Sequence, residues 1–351
     1  MMRTSKYYSL KVLRIWSFIF VVVGCVQQRD ATEGSPAAQT PQQPAAQAGL
    51  EPVREITSIT GDLYRARENN HYTVFLVTSE GVILADPINA AFSEWLKSEL
   101  ANRFGATVEY VLYSHHHWDH ASGGSVFDAT ATFVGHENMA RALSAPLPGN
   151  FMAADANRNG RLEPDEATGG LRANFDRMDS NRDGVVTGAE INVDIRPPDV
   201  TYSDNTTVSL GGKTVKLIHP VPAHSDDMTV LFFPEERTVF GVDYINLNRL
   251  PGEIAGYSFE QWDNALALVE ALDFDILAPG HADMGTKADF VAYRGYFETL
   301  RAAVTAGIVE GRSVEDLQRS ITLDSYSGWL RYDTQRESNI ADAYGLLSAG
   351  P

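Results

Sequence analysis

The sequence predicts an α/β fold built from two halves, each of which runs from short β-strands into amphipathic helices. Three observations support this prediction. Hydrophobic residues make up 44% of the 351 residues, which is enough for a full core. Short β-rich segments precede helical segments twice along the chain. A stretch rich in Asp, Asn, Gly and Glu separates the halves at residues 150–195, which indicates an insert.

The first 50 residues are expected to precede the folded domain. Residues 1–24 join a basic start to an apolar run too short to favour a spanning helix, as in a signal peptide. Cys25 is the only cysteine, and it follows a Val-Val-Gly sequence that resembles a bacterial lipoprotein cleavage box. Residues 25–50 are therefore predicted to form a lipidated cysteine and a flexible tether. The alternative is an ordinary signal peptide with an incidental cysteine.

These features predict where the protein is found and what it meets. Export to the bacterial periplasm is expected, with the N-terminal lipid anchor holding the protein to the outer membrane. The formal net charge of −18 repels phosphate backbones, so no nucleic-acid partner is expected. No motif predicts a protein partner.

Residues 51–149 are predicted to form the first half of the fold. Short runs of β-branched and aromatic residues are separated by turn signals. An amphipathic helix is predicted over residues 92–103, and the strand that follows it ends at a histidine cluster. The predicted strands of this half are residues 63–67, 72–78, 82–86, 108–113 and 132–135.

Residues 196–351 are predicted to form the second half and the C-terminal helices. The β pattern resumes at Val200. Helices are predicted over residues 259–272 and 287–306, and the last 40 residues are expected to be helical and to cover a sheet. The predicted strands of this half are residues 206–210, 213–219, 228–233, 237–242 and 276–278.

The histidine cluster follows directly after a predicted buried strand. His115, His117, Asp119 and His120 lie within six residues of one another. Imidazole and carboxylate groups are suitable zinc ligands, and a strand end can direct alternate side chains at one point. The alternative, a solvated histidine run, is disfavoured because Trp118 interrupts the cluster. A metal site is therefore predicted.

The cluster resembles the H-x-H-x-D-H signature of the metallo-β-lactamase superfamily. Three further matches follow in the order that the family requires: a histidine at residue 224 after a strand, an aspartate at residue 243, and a Pro-Gly-His turn that ends at residue 281. The resemblance implies a four-layer αβ/βα metallo-β-lactamase sandwich, here with an inserted EF-hand pair. It also implies two metal ions, one held by His115, His117 and His224 and the other by Asp119, His120 and His281, with Asp243 bridging them.

The resemblance further implies hydrolytic chemistry. Two zinc ions, with iron or manganese as alternatives, would activate a bridging hydroxide as the nucleophile. Asp119 would be the catalytic residue that orients this nucleophile and relays its proton, and Asp86 would be the aspartate that holds a ligand in place. The expected substrate is a small ester, thioester, lactone or amide.

Departures from the family pattern bear on the substrate. Two β-lactamase subclasses need a cysteine ligand, and the only cysteine of this chain lies outside the domain. The third subclass usually lacks the bridging aspartate, so Asp243 favours the branch of glyoxalase II, lactonases and related hydrolases. Hydrolysis of a β-lactam is the first alternative, and iron-based redox chemistry is a minor one.

Two segments of the insert, residues 155–166 and 179–190, match the EF-hand calcium loop. The pattern needs oxygen ligands at positions 1, 3 and 5, a glycine at position 6, a backbone carbonyl at position 7 and a glutamate at position 12. Two calcium ions are therefore predicted, in a structural clip beside the active site. The predicted ligands are Asp155, Asn157, Asn159, Arg161, Glu163, Glu166, Asp179, Asn181, Asp183, Val185, Thr187 and Glu190.

A third hypothesis is a non-catalytic, calcium-dependent surface-binding protein. It is disfavoured because such a protein has no need for all seven zinc-ligand positions.

The residues around the signature have less defined roles. His116 and Trp118 occupy its variable positions, and either could line the pocket or point into its wall. Tyr244 and Asn246 follow the bridging aspartate and are candidates for substrate contact. The remaining histidines, at residues 71, 136 and 219, are interpreted as structural.

Overall fold

The computed structural model describes residues 51–348, with the exception of residues 148, 153 and 253. The predicted signal peptide, the lipid-anchor Cys25 and the tether lie outside these described residues. None of the helices in the described part of the chain is both long and apolar enough to cross a membrane.

The described strands form two sheets. The first sheet has seven strands in chain order, and its last three are parallel to their preceding neighbour. Its strands are β1 (Arg54–Thr60), β2 (Leu63–Glu68), β3 (His71–Thr78), β4 (Gly81–Leu84), β5 (Val108–Leu112), β6 (Thr132–His136) and β7 (Val200–Tyr202).

The second sheet has six strands, and all its pairs are antiparallel except β11 with β12. They run in the order β13, β12, β11, β10, β9, β8 across the sheet. They are β8 (Asn205–Leu210), β9 (Lys213–Ile218), β10 (Val230–Phe233), β11 (Thr238–Gly241), β12 (Ile276–Pro279) and β13 (Gly285–Thr286).

Helices connect and cover the sheets. Their bounds are α1 (Ala90–Phe104), α2 (Trp118–Ala121), α3 (Asn138–Leu143), α4 (Gly149–Met152), α5 (Gly169–Met178), α6 (Gly188–Ile191), α7 (Phe259–Glu270), α8 (Lys287–Val309), α9 (Val314–Ser320) and α10 (Tyr332–Ser348). The starts of α1 and α7 follow capping rules, since the Asn89 side chain accepts from Phe92 N at 2.9 Å before α1, and Ser258 and Gln261 form a capping box before α7.

Alternation along the strands produces four layers, because neighbouring side chains of a strand point to opposite faces. In β3, Val74 and Leu76 join side chains of the second sheet in one buried cluster, whereas Phe75 belongs to a cluster with α1. In β11, Phe240 belongs to the cluster between the sheets and Val239 to one with α7 and α8. The order is therefore helix, sheet, sheet, helix, and the predicted four-layer αβ/βα sandwich is confirmed.

The sequence pattern did not predict β1. This strand lies at the edge of its sheet, most of its residues are exposed or half-buried, and its register shifts between Ser58 and Thr60. An edge strand has only one hydrogen-bonded neighbour and little apolar surface to bury, so its hydrophobic alternation is weak.

The predicted insert has a hydrophobic core of its own. Seven buried side chains of residues 147–191 form one cluster, and Trp118 of α2 packs against it. Leu162 and Val186 exchange two backbone hydrogen bonds of 2.9 Å, which join the two predicted calcium loops. The helix that enters the first predicted calcium loop, α4, has only four residues.

Candidate metal centre

The carboxyl ends of the parallel strands β4 and β5 place the first group of site residues side by side. Asp86 follows β4 and Ser114 follows β5, and both residues are fully buried. Ser114 donates to the two Asp86 oxygens from its backbone N at 2.8 Å and from its Oγ at 2.6 Å. Asp86 Oδ2 also lies 3.4 Å from His120 Nδ1. The carboxylate thus fixes the strand end that carries the histidine cluster and faces one of its members.

Three histidines surround one oxygen of Asp243. Asp243 Oδ2 lies 3.3 Å from His115 Nε2, 3.3 Å from His224 Nε2 and 4.0 Å from His117 Nδ1. His117 Nδ1 and His224 Nε2 are 3.0 Å apart. These four residues have ligand atoms within 4.8 Å of one another, which suits a single ion.

A second group surrounds the other oxygen. Asp243 Oδ1 lies 3.0 Å from His281 Nε2 and 3.4 Å from His120 Nε2, and the two imidazole nitrogens are 2.9 Å apart. Asp119 Oδ2 lies 3.4 Å from His281 Nε2 and 3.7 Å from His120 Nε2. The two oxygens of one carboxylate therefore face two separate sets of nitrogen atoms.

The backbone at Asp243 has an unusual conformation. This residue follows β11 with a φ of 62°, in the left-handed region that non-glycine residues seldom adopt. The Asn246 side chain donates to the Asp243 carbonyl at 2.7 Å and closes the turn. Strained backbone of this kind clusters at functional sites, where the surrounding structure holds it.

The donor atoms fit metal ions better than they fit one another. His115 Nε2 and Asp243 Oδ1 are buried without a hydrogen-bond partner, although both lie in the middle of the cluster. A buried polar atom without a partner costs about 1–3 kcal/mol, which a bound cation would remove. Imidazole nitrogens with carboxylate oxygens are the ligands expected for zinc. The structure brings together all seven residues predicted as zinc ligands.

The cluster opens into a cavity of about 1320 Å³. Residues from both halves line it, together with Met152 of the predicted insert. Asp119 faces this cavity and keeps 23% of its side chain exposed, whereas His115 is fully buried. The site therefore has a closed side made by ligands and an open side that a small molecule can reach.

The model of the metallo-beta-lactamase superfamily matches residues 66–281, which cover more than half of the chain. The chain belongs to the metallo-β-lactamase superfamily. Membership confirms the prediction of a metal-dependent enzyme of the hydrolase class. It also confirms the family that the H-x-H-x-D-H pattern suggested.

Solved structures share the fold of this superfamily member at low identity. A metallo-β-lactamase from Pontibacter korlensis is 16% identical, with 70% of this chain and 99% of that chain covered and a TM-score of 0.50. A double mutant of the sec-alkyl sulfatase PisA1 is 14% identical, with 85% of this chain and 51% of that chain covered and a TM-score of 0.63. Among curated proteins, the alpha subunit of a 2,4-dinitroanisole O-demethylase from a Nocardioides species is 22% identical over 270 residues, which are 76% of this chain and 67% of the relative.

Burial and neighbouring charges act differently on the two histidine groups. In the first group, burial lowers the pKa of His115, although Asp243 acts in the opposite direction. Burial and the neighbouring His115 hold the pKa of His117 well below its usual value. These two ligands are therefore neutral near pH 7 and ready to bind a cation.

The second group holds protons when no metal is bound. Burial disfavours charge on His120, but Asp243 and Asp119 outweigh it and raise the pKa of His120 well above its usual value. Burial is outweighed by the same carboxylates at His281, whose pKa rises to about 9. Burial raises the pKa of Asp119 and Asp243, but the histidines outweigh it and hold both values well below the usual range.

Two arginines that the sequence analysis missed hold the turn of His281. Arg65 donates to Pro279 O at 2.8 Å and to Ala282 O, and its guanidinium lies 3.6 Å from the centre of the Tyr72 ring. Burial lowers the pKa of Arg65 to about 10. Arg249 donates to His281 O at 2.9 Å. Strand alternation could have predicted the burial of Arg65, because it lies on the same inward face of β2 as Leu63.

The structural interpretation of His71 is wrong. His71 begins β3 and lies 3.5 Å from Asp119 Oδ2, with its ring 4.9 Å from the ring of His281. It forms a third possible ligand group with Asp119 and His281. His136 and His219 do have structural positions, because their rings stack at 3.8 Å and both bond to backbone carbonyls.

Four residues had undefined roles: His116, Trp118, Tyr244 and Asn246. Two of them line the cavity and two pack in hydrophobic clusters. His116 lines the cavity and contacts Asp227 Oδ1 at 2.9 Å, and Asn246 also lines the cavity. Trp118 packs in the wall, between the cores of the first half and of the insert. Tyr244 is fully buried in the core, so of these two candidates for substrate contact only Asn246 faces the cavity.

The predicted calcium ligands form two oxygen-lined loops. Asp155 and Asp179 are buried at the first position of each loop, and Gly160 and Gly184 have left-handed φ values of 78° and 89°. The twelfth residues reach back across their loops, since Glu166 accepts from Asn157 N at 3.0 Å and Glu190 accepts from Asn181 N at 3.4 Å. The other predicted calcium ligands lie in the same two loops. They are, at positions 3, 5, 7 and 9, Asn157, Asn159, Arg161 and Glu163 in the first loop and Asn181, Asp183, Val185 and Thr187 in the second.

Proposed function

We propose that this protein is a dinuclear zinc hydrolase of a small ester, thioester, lactone or amide. The observation that carries the proposal is the position of Asp243, whose two oxygens face two separate histidine groups at 3.0–4.0 Å. A carboxylate in that position suits a pair of ions. His115, His117 and His224 would hold one ion, and His120, His281 and Asp119 the other.

When bound, two zinc ions would generate a nucleophile from water at neutral pH and polarise the scissile carbonyl. The protein groups would then orient the substrate and move protons. Asp119 Oδ2 faces the cavity, and the neighbouring histidines hold the pKa of Asp119 well below its usual range, which keeps the carboxylate ionised. In that state it would orient the nucleophile and relay its proton to the leaving atom. Asp86 keeps His120 in place from the buried side.

The likeness to named relatives supports hydrolysis without naming a substrate. One curated relative is described as an O-demethylase subunit and one structural neighbour as a sec-alkyl sulfatase. Hydrolysis of a β-lactam is the second candidate, since another neighbour is a metallo-β-lactamase. Asp243 favours the ester and lactone branch over it. An intact set of seven ligand positions disfavours a non-catalytic binding protein.

Elemental analysis with a hydrolysis panel tests this function. About two zinc and two calcium ions per chain are expected, with turnover of an ester, a lactone or a chromogenic cephalosporin. Asp119→Ala and His224→Ala should abolish turnover, whereas Asp204→Ala, at an exposed aspartate outside the cavity, should retain it. Bound iron would favour redox chemistry instead. Absence of both transition metal and activity would favour the calcium-dependent binding protein.

We further propose that the insert is an EF-hand pair that binds two calcium ions. The buried first aspartates, the left-handed glycines and the bridge between Leu162 and Val186 support this assignment. Extracellular EF-hand modules bind calcium with a Kd on the order of 10⁻⁴ to 10⁻³ M. The short helices favour a structural clip over an opening sensor.

Export and lipid anchoring through Cys25 are also proposed. The support is the sequence of residues 1–25, with its basic start, apolar run and single cysteine. Incorporation of labelled palmitate into the full chain tests the anchor. Label in the wild-type protein and none in Cys25→Ser is expected, and equal labelling of the two would contradict the assignment.

A further inference from the structure

Two arginines line the same cavity as the zinc-ligand cluster. Arg249 lies in the segment between β11 and α7 and is half-buried, and Arg331 directly precedes α10 and is exposed. The backbone joins their segments, because Leu330 N donates to Asn248 O at 2.9 Å and Leu250 N donates to Leu330 O at 3.0 Å. The two guanidinium groups therefore belong to neighbouring, hydrogen-bonded segments at one wall of the cavity.

Neither of these guanidinium groups has a carboxylate partner among the described residues. The third arginine of the cavity, Arg141, forms an ion pair with Asp226. Within the described part of the chain, no carboxylate oxygen lies within 4.0 Å of Arg249 or Arg331. Toward the residues that the structure describes, the Arg249 side chain makes one hydrogen bond, to the carbonyl of His281, and its other N–H groups are available.

The other charges that face the cavity do not neutralise this pair. Asp119 and Asp243 face the histidines, and Asp226 forms an ion pair with Arg141. Asp283, the remaining acidic residue of the lining, acts on the buried Arg65. The charge of Asp243 also acts on Arg249, but the two side chains form no ion pair, because neither Asp243 oxygen lies within 4.0 Å of the guanidinium.

Paired guanidinium groups recognise anions with several oxygens. The planar donor fork of arginine matches carboxylate, sulfate and phosphate groups, which it binds through two parallel hydrogen bonds. In a chain with a net charge of −18, an uncompensated pair of cations in a cavity is unexpected unless an anion binds there.

We propose that Arg249 and Arg331 form a subsite that binds an anionic group of the substrate, a carboxylate or a sulfate, while the bond to be cleaved lies at the histidine cluster. The proposal rests on the proposed hydrolase function and narrows its substrate class. Because Arg249 touches the carbonyl of His281, the subsite lies directly beside that cluster. Exposed Met152 and Leu330 supply apolar surface in the same cavity, so the substrate has an apolar part as well.

Two esters with one leaving group test the subsite. The mono-4-nitrophenyl ester of adipic acid carries a distal carboxylate, whereas 4-nitrophenyl hexanoate does not. The wild-type enzyme is expected to have the higher kcat/KM for the anionic ester. Arg331→Met should lower the anionic-to-neutral ratio of kcat/KM about tenfold, the effect of losing one charge-assisted hydrogen bond.

Arg331 is the first choice for substitution because its side chain is exposed and contributes little to folding. Arg249→Met is the second variant, and its zinc content is measured because Arg249 also holds the turn of His281. Arg103→Met is the matched control, since Arg103 pairs with Glu99 on α1 outside the cavity, and it should leave the ratio unchanged. A preference for the neutral ester, or a ratio that Arg331→Met does not change, overturns the proposal.

Ligand binding separates the subsite from hydrolysis. Zinc is removed with 1,10-phenanthroline in calcium-containing buffer, and hexanoate, hexyl sulfate and hexanamide are titrated by calorimetry. At least one anion should bind about tenfold more tightly than hexanamide, and Arg331→Met should remove that difference. The tighter anion identifies the group. Equal binding of all three ligands overturns the subsite even if esters are hydrolysed, whereas anion binding without turnover of any ester supports the subsite and contradicts the hydrolase.

Discussion

At the scale of single residues, Asp243 joins a backbone constraint to a chemical one. Its left-handed φ of 62° directs the carboxylate toward the histidines, and its two oxygens then face different groups. Most residues would adopt this conformation only at a cost of about 1–3 kcal/mol. The strained conformation therefore occurs at the residue whose side chain lies between the two candidate ion positions.

Asp243→Asn separates the carboxylate from the backbone conformation. Asparagine tolerates the left-handed region, so the fold and the melting temperature should change little. The amide offers one oxygen in place of two, so zinc content should fall from about two ions per chain to about one. Turnover should fall about 100-fold, which is the upper end of the activity loss seen when a group around a catalytic metal is removed. Two zinc ions per chain in the variant would contradict the bridging role.

The seven candidate metal ligands could be predicted because a family motif fixes their order along the chain. His71 could not, since no motif includes it and only the folding of β3 beside the Pro279–Ala282 turn brings it to Asp119. The turn itself is held by Arg65, whose burial follows from strand alternation but whose partners depend on the second sheet. A sequence pattern therefore predicts whether a side chain is buried, but its partners in other segments depend on how the sheets pack.

At the scale of elements, the short helix α2 connects the candidate metal centre to the insert. It carries Asp119 and His120, and its first residue, Trp118, packs against the hydrophobic core of the insert. The guanidinium of Arg177, on α5 just before the second predicted calcium loop, lies 5.3 Å from the centre of the Trp118 ring. On the other side of α2, Gly123 N donates to Asp194 O at 2.8 Å. The insert therefore holds α2 at both ends.

Calcium removal is expected to loosen α2 and weaken zinc binding. At a calcium concentration about 100-fold above its Kd, each loop would contribute about 2.7 kcal/mol to folding. Removal of calcium with EGTA, followed by dialysis into calcium-free buffer without chelator, should therefore lower the melting temperature by several degrees and raise the apparent Kd for zinc. The dialysis is needed because EGTA also binds zinc and would compete with the protein for it. By linkage, zinc should tighten calcium binding by the same factor.

Trp118→Ala tests the route of this coupling. The variant should keep the calcium effect on the melting temperature but lose most of the calcium effect on zinc affinity. Trp95→Ala is the control, because Trp95 packs against the first-half core and not against the insert core. Zinc affinity that is independent of calcium in the wild-type protein would refute the coupling, and a melting temperature that is also unchanged would refute the clip.

At the scale of the whole molecule, the fold brings histidines with oppositely shifted pKa values to one centre. The first half supplies His115 and His117, whose pKa values are lowered, and also His120, whose pKa is raised. The second half supplies His281, whose pKa is raised to about 9. A histidine must be neutral to bind a metal ion, so a ligand with a raised pKa releases a proton when zinc enters. The two zinc positions should therefore respond differently to pH.

Zinc titrations at pH 6.5, 7.5 and 8.5 in the presence of a competing chelator measure this difference. The tighter ion, at the neutral histidines, should show little dependence on pH across this range. The weaker ion should bind at least about tenfold more tightly per pH unit as pH rises toward 9, because His281 and also His120 lose protons to it. His281→Ala should remove the steep step and leave the tighter ion in place. If both ions bound with the same pH dependence, the two histidine groups would not differ in protonation, and the order of zinc loading would have to come from ligand geometry instead.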